Sequence, residues 1–190
     1  VKNTLKNTSV RTRVLTGTVV AAALAAATVG AVSASAETSE TPAAPAAVKV
    51  DVQNKNLAQS TGLNIDAATR AAQASLDAAT KAGQHVSVAV VDRDGVVRVL
   101  LKGDGAGPQA TESAQRKAFT AVSWNAPTSE LAKRLAQAPN LKDIPGTLFL
   151  AGGAPVQSKG APVAGIGVAG APSGDLDEQF AQAGVAALGK

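Results

Sequence analysis

Residues 85–102, HVSVAVVDRDGVVRVLLK, constrain this chain more than any other stretch. Val86, Val88 and Val90 alternate along an extended segment from His85 to Asp92 and share one face. Val96 to Lys102 is a returning strand, and Arg93-Asp94-Gly95 between them has the chemistry of a hairpin turn. The chain is thereby committed to an antiparallel sheet. Helical patterns surround it. Residues 66–82 are rich in Ala, with Asp66 placed to cap the start and Gly83 after the end. The largest apolar side chain there is Leu76, so a partner must approach this helix closely. A second helix spans about 109–123, and a short third follows Pro127 with Thr128 as its cap. Thr147 to Ala151 is predicted as an apolar strand and Val163 to Ala169 as another, with turns at Gly152-Gly153 and Lys159-Gly160. Asp175 and Glu178 have the spacing of a capping box for a C-terminal helix ending near Gly189. The expected order is α-β-β-α-α-β-β-β-α. The fold class is α+β: an antiparallel β-sheet flanked by helices.

Charge and composition exclude several functions. The chain has 18 basic and 14 acidic residues. Lys2, Lys6, Arg11 and Arg13 lie in residues 1–36, which hold no acid. The remainder carries 14 of each sign, so the basic balance belongs to the N-terminal tail and a nucleic-acid surface is disfavoured. Cys is absent, which removes disulfides, thiolate metal sites and Cys nucleophiles. Met and Tyr are also absent, and His85 is the single His. No two-His metal motif can form within one chain.

Residues 1–36 have the organisation of a secretory signal peptide: a basic start, an apolar run from about Val14 to Val32, and Ala34-Ser35-Ala36 as the cleavage signal. The alternative is a retained membrane anchor. The small-residue site favours export, with cleavage after Ala36, a mature chain starting at Glu37 and a secreted, extracellular location. Residues 37–56 have the composition of a flexible linker, with Pro42 and Pro45 and few large apolar residues. Residues 57–190 are expected to form the globular domain. A secreted domain without Cys holds together by packing, helped by oligomerisation.

Several motifs admit more than one reading. Gly165-Ile166-Gly167-Val168-Ala169-Gly170 spells G-x-G-x-x-G, but inside a predicted strand rather than at the start of a helix. Close backbone approach explains it better than a nucleotide. The loop Gly103 to Pro108 joins a strand to a helix, where its amides could hold an anion or simply let the chain double back. His85 is a candidate ligand, or a surface hydrogen-bonded residue. Arg116 and Lys117 form a solvated face or a clamp for propionates or phosphates. Thr111 and Thr120, nine residues apart on one helix, face opposite sides. Glu37 and Glu40 are placed to chelate a hard cation such as ferric iron, or to solubilise the linker.

The strings HVSVAVVDRDGVVRVLLKGDGAGP at 85–108, ESAQRKAFTAVSWNAPTSELAKRLAQAP at 112–139, LKDIPGTLFLAGGAPV at 141–156 and GAPVAGIGVAGAPSGDLDEQFAQAG at 160–184 resemble the GlcG/HbpS family. The resemblance covers nearly the whole globular domain. It implies an extracellular protein that binds haem and iron, protects against haem and peroxide stress, and assembles as an octamer. It also implies a membrane sensor histidine kinase as partner, and a threonine on the haem iron, for which Thr111 and Thr120 are the matching positions. Of the common axial ligands only His85 is present, so an oxygen donor or Lys is the alternative. Relatives hold iron on acidic clusters, whereas Asp77-Ala78-Ala79-Thr80 has one acid. The expected function is binding and sensing of haem rather than dedicated catalysis. The alternatives are peroxide-dependent haem degradation, or an oligomeric interaction module for another small ligand.

Overall fold

The computed structural model describes residues 50–189. Besides three short 3-10 turns, the described residues form four α-helices and four strands: α1 (Ile65–Lys81), β1 (Ser87–Asp92), β2 (Val97–Lys102), α2 (Pro108–Trp124), α3 (Thr128–Arg134), β3 (Gly153–Ser158), β4 (Ala161–Ala169) and α4 (Gly174–Ala186). The strands form one antiparallel sheet in the order β2-β1-β4-β3. The α+β class, with helices on an antiparallel sheet, is as expected. Residues 1–36 and most of the linker, with Glu37 and Glu40, lie outside the described residues.

Both hairpins follow from turn chemistry. Asp92 accepts from the amides of Asp94 and Val96 at 3.0 and 2.9 Å, closing the β1–β2 turn. Lys159 and Gly160, at φ 51° and 80°, form the two-residue turn between β3 and β4. Val86, Val88 and Val90 pack with Ile166, Val168 and Val156 against α1 and α4, where Phe180 is the largest contributor. Ala89 and Val91, on the opposite face, meet Ala110, Ala114, Ala118 and Val122 of α2.

The glycines of β4 explain how α2 sits. A Cβ on Gly165 or Gly167 would overlap the backbone carbonyls of Ala118 and Ala114, respectively. The G-x-G-x-x-G string is therefore the seat of a helix. The small face of α1 works similarly: Ala68, Ala71, Ala72 and Ser75 are buried, and Gly184 of α4 lies directly against Ser75 and the Ala71 carbonyl.

Four local expectations are corrected. Thr147 to Ala151 is irregular, so the sheet has four strands and not five. Its backbone is bonded by side chains instead, and β3, a Gly-Ala-Pro sequence with weak strand propensity, pairs with β4. Asn64 caps α1, accepting from the amide of Ala67 at 2.8 Å, while Asp66 sits within the first turn. Ser173 caps α4, and Glu178 turns away from that helix start. Thr128 is the first residue of α3 and accepts from the amide of Gly153. Among the described residues, no helix is long and apolar enough to cross a membrane.

Candidate functional site

α2 packs chiefly over β4 and β1, so the same side of β2 is left open. In an antiparallel pair, residues directly opposite point to one side. Val97 lies opposite Val91, Leu100 opposite Ala89 and Lys102 opposite Ser87. All three therefore face the α2 side, and Val97 and Leu100 stay exposed there. Thr111, Gln115 and Phe119 border this strip, spaced four apart along one stripe of α2. Val97, Gln115, Arg116, Phe119 and Gly146 line a shallow hollow of about 160 Å³ at one end. The site is thus an apolar strip rather than a closed cavity, with Lys102 at one end and Arg116 at the other.

Arg116 is held in place. One of its nitrogens donates to the Thr147 carbonyl at 2.8 Å, another lies 3.7 Å from Glu112, and the side chain keeps 40% of its exposure. Lys117, expected beside it, points inward instead. Its ammonium bonds Asp177 at 2.8 Å and the Val168 carbonyl at 3.0 Å. Burial pushes the Asp177 carboxyl above 3.8, opposed by the hydrogen bond and charge of Lys117.

The two threonines separate clearly. Thr120 is fully buried, donates to the Arg116 carbonyl at 2.7 Å and accepts from the amide of Leu148 at 2.8 Å. Thr111 is half-buried at the start of α2, with its hydroxyl 3.2 Å from that of Ser87. His85, exposed two residues before Ser87, lies 2.7 Å through Nδ1 from the Asp104 carbonyl. A carbonyl cannot donate, so Nδ1 carries a proton, which in the neutral imidazole leaves the lone pair on Nε2. The ring packs over Gly105, at φ 79°, where a Cβ would stand 3.0 Å from Nδ1. The Gly103 to Pro108 loop thus doubles back around His85. His85 also lines a hollow of about 400 Å³ with Leu76, Thr80, Lys102 and Asp104.

The sheet start therefore gathers Thr111 and His85, while Arg116 and Thr120 anchor the segment before β3. No group of three or more His, Cys, Asp or Glu forms among the described residues. Asp77 accepts from Gln73 at 2.8 Å, and the Thr80 hydroxyl donates to the Leu76 carbonyl at 2.9 Å.

Sequence reasoning missed Asp177 and Glu178. Glu178 accepts from the amide and hydroxyl of Ser129 at 2.9 and 2.6 Å, from Thr128 at 3.4 Å and from the amide of Gly152 at 3.3 Å. Both acids stand in the D-x-x-E stretch that suggests only a cap.

The family model described as "Haem degrading protein HbpS-like" matches residues 63–186. A structure of a double Glu-to-Asp variant of HbpS from Streptomyces reticuli is 73% identical, with a TM-score of 0.74, covering 77% of this chain and 100% of that one. A second HbpS structure is 74% identical, with a TM-score of 0.73 and coverage of 74% and 100%. A complex of PduOC with haem, 24% identical at a TM-score of 0.62 and covering 67% and 95%, shares the fold. No curated protein matches the chain. The family model spans most of the described domain and the HbpS structures match it at over 70% identity, so the chain belongs to the HbpS-like proteins.

Proposed function

We propose that this protein binds haem on the strip between α2 and β2, as an exported scavenger and sensor of haem. The likeness to HbpS, whose solved chains are matched over their full length, supports haem as the ligand. The observation that carries the location is the open strip of Val97, Leu100 and Phe119, with Arg116 at its border. A porphyrin needs an apolar plane and a cation for its propionates, and these residues fit both needs. Arg116 takes a propionate; Lys117 is already paired. Thr111 supplies the oxygen donor, because Thr120 is fully buried and its hydroxyl is bonded inside the fold. Bound haem supplies the iron chemistry, and the protein's part is to hold, orient and release it.

Two specific observations favour second readings. The free Nε2 of His85 makes it the alternative iron ligand. The family description favours haem degradation; loss of Soret absorbance with iron release, faster than from free haem, distinguishes degradation from binding. In the finer form of the proposal, residues 1–36 are removed on export, and 37–56 tether the domain. Glu37 and Glu40 offer a site for iron, the domain assembles as an octamer, and a membrane sensor kinase reads the haem-loaded form.

The test is a haemin titration followed at the Soret band. Thr111→Ala abolishes the saturable shift and Arg116→Ala weakens affinity about tenfold, the loss of one charge-assisted contact. Thr120→Ala leaves the ligand field unchanged. Loss of the shift in His85→Ala alone transfers the ligand to His85, and no saturable shift in the unmodified chain overturns the haem proposal.

A further inference from the structure

Lys117 is a buried amine beside a hollow that the haem reading does not use. Its side chain is 6% exposed, yet it lines a space of about 320 Å³ with Leu150, Ala151, Gly174 and Asp175. That volume is at the low end of small-molecule sites. Two of its three ammonium donors are taken, by Asp177 and the Val168 carbonyl. Gly152 leaves the ammonium uncrowded: at φ 129°, a Cβ there would lie 2.5 Å from Nζ. A desolvated lysine is an activated nucleophile toward carbonyl carbon, provided a neighbour takes its proton. Asp177, at 2.8 Å and 4% exposed, is that neighbour.

We propose that Lys117 condenses with small aliphatic aldehydes entering this hollow, forming a Schiff base with Asp177 as the proton carrier. The ammonium gives one proton to the Asp177 carboxylate. The nitrogen lone pair forms the C–N bond, and the carbonyl π pair moves to oxygen. A proton passes from nitrogen to that oxygen, giving the carbinolamine. Asp177 returns its proton to the hydroxyl, which leaves as water while the nitrogen lone pair closes the C=N bond. Aldehyde and ammonium become iminium and water, and nothing is oxidised or reduced. Leu150 and Ala151 suit a short hydrocarbon chain. The direction of the Asp177 shift, toward the protonated form, agrees with its accepting the proton.

The test uses the folded full chain with butanal and cyanoborohydride, which reduces an imine to a stable secondary amine, followed by peptide mapping. The expected result is alkylation of Lys117 an order of magnitude faster than of the exposed Lys133 and Lys159, saturating with aldehyde. Asp177→Asn slows Lys117 about a hundredfold and leaves the exposed lysines unchanged, the loss of a positioned acid–base group. The unmodified chain decides the matter even if that variant does not fold. Alkylation of Lys117 no faster than of Lys133 and Lys159, or only after denaturant is added, overturns the proposal.

Discussion

Asp177 reverses the usual role of a buried acid in pH stability. Burial raises its carboxyl above the unfolded value of 3.8, even with Lys117 beside it. Between those two values the folded chain binds more protons than the unfolded one, so this group's contribution falls as pH rises through the folded value and is greatest below 3.8. The stability of the unmodified protein minus that of Asp177→Asn should grow as pH is lowered from neutral, measured by urea unfolding across that range. Ser75 poses a simpler case. Its hydroxyl is buried between α1 and α4 with no partner among the described residues. Ser75→Ala should therefore raise stability by about 1 kcal/mol, seen as a higher midpoint in the same unfolding experiment. The sequence shows Ser75 only as one small residue on a small face, because whether its hydroxyl finds a partner depends on α4, a hundred positions away in the chain.

At the scale of elements, the middle of α2 and the start of α3 converge on two adjacent acids near the start of α4. Glu178 ties α4 to the start of α3 and to Gly152, while Asp177 ties it to α2 and to the amide of Ala171. Replacing Glu178 by Ala leaves those amides and hydroxyls unpaired and should cost about 3 kcal/mol, with the loss of protection from hydrogen exchange centred on α3. Breaking the other tie by Lys117→Met alone strands Asp177 and should cost about 3–5 kcal/mol, whereas Lys117→Met with Asp177→Leu should recover most of it. Thermal unfolding of the single and double variants checks both statements. The hairpin of β1 and β2 and the four helices were legible because their signals are local: alternating Val, an Asp-Gly turn, runs of Ala. The strand β3 was implied only by the turns that bracket it, because Gly153, Ala154 and Pro155 carry no strand signal of their own and are held by the register of β4. The partners of Lys117 were hidden for a related reason, since Asp177 lies 60 positions away.

For the whole molecule, the absence of Cys sets the terms. No disulfide constrains the unfolded chain, so thermal stability should be indifferent to reductant, and melting with and without dithiothreitol should superimpose. Cohesion comes from small side chains that bring backbones together: Ala on α1 and α2, Gly on β4 and α4. The candidate strip was legible in part. Sequence placed Thr111 and Arg116 on one helix and His85 at the start of a strand. That α2 leaves one side of β2 open is a property of the sheet order, which no local pattern encodes. The seating of α2 on Gly165 and Gly167 also has a mechanical meaning. Backbone rests on backbone, with no side chains between to act as bearings, so the helix has no room to roll or slide over the strand. A displacement of the outer stripe of α2 should therefore move β4 with it, and with β4 its two ends, the Lys159-Gly160 turn and the Gly170 loop that adjoins His85.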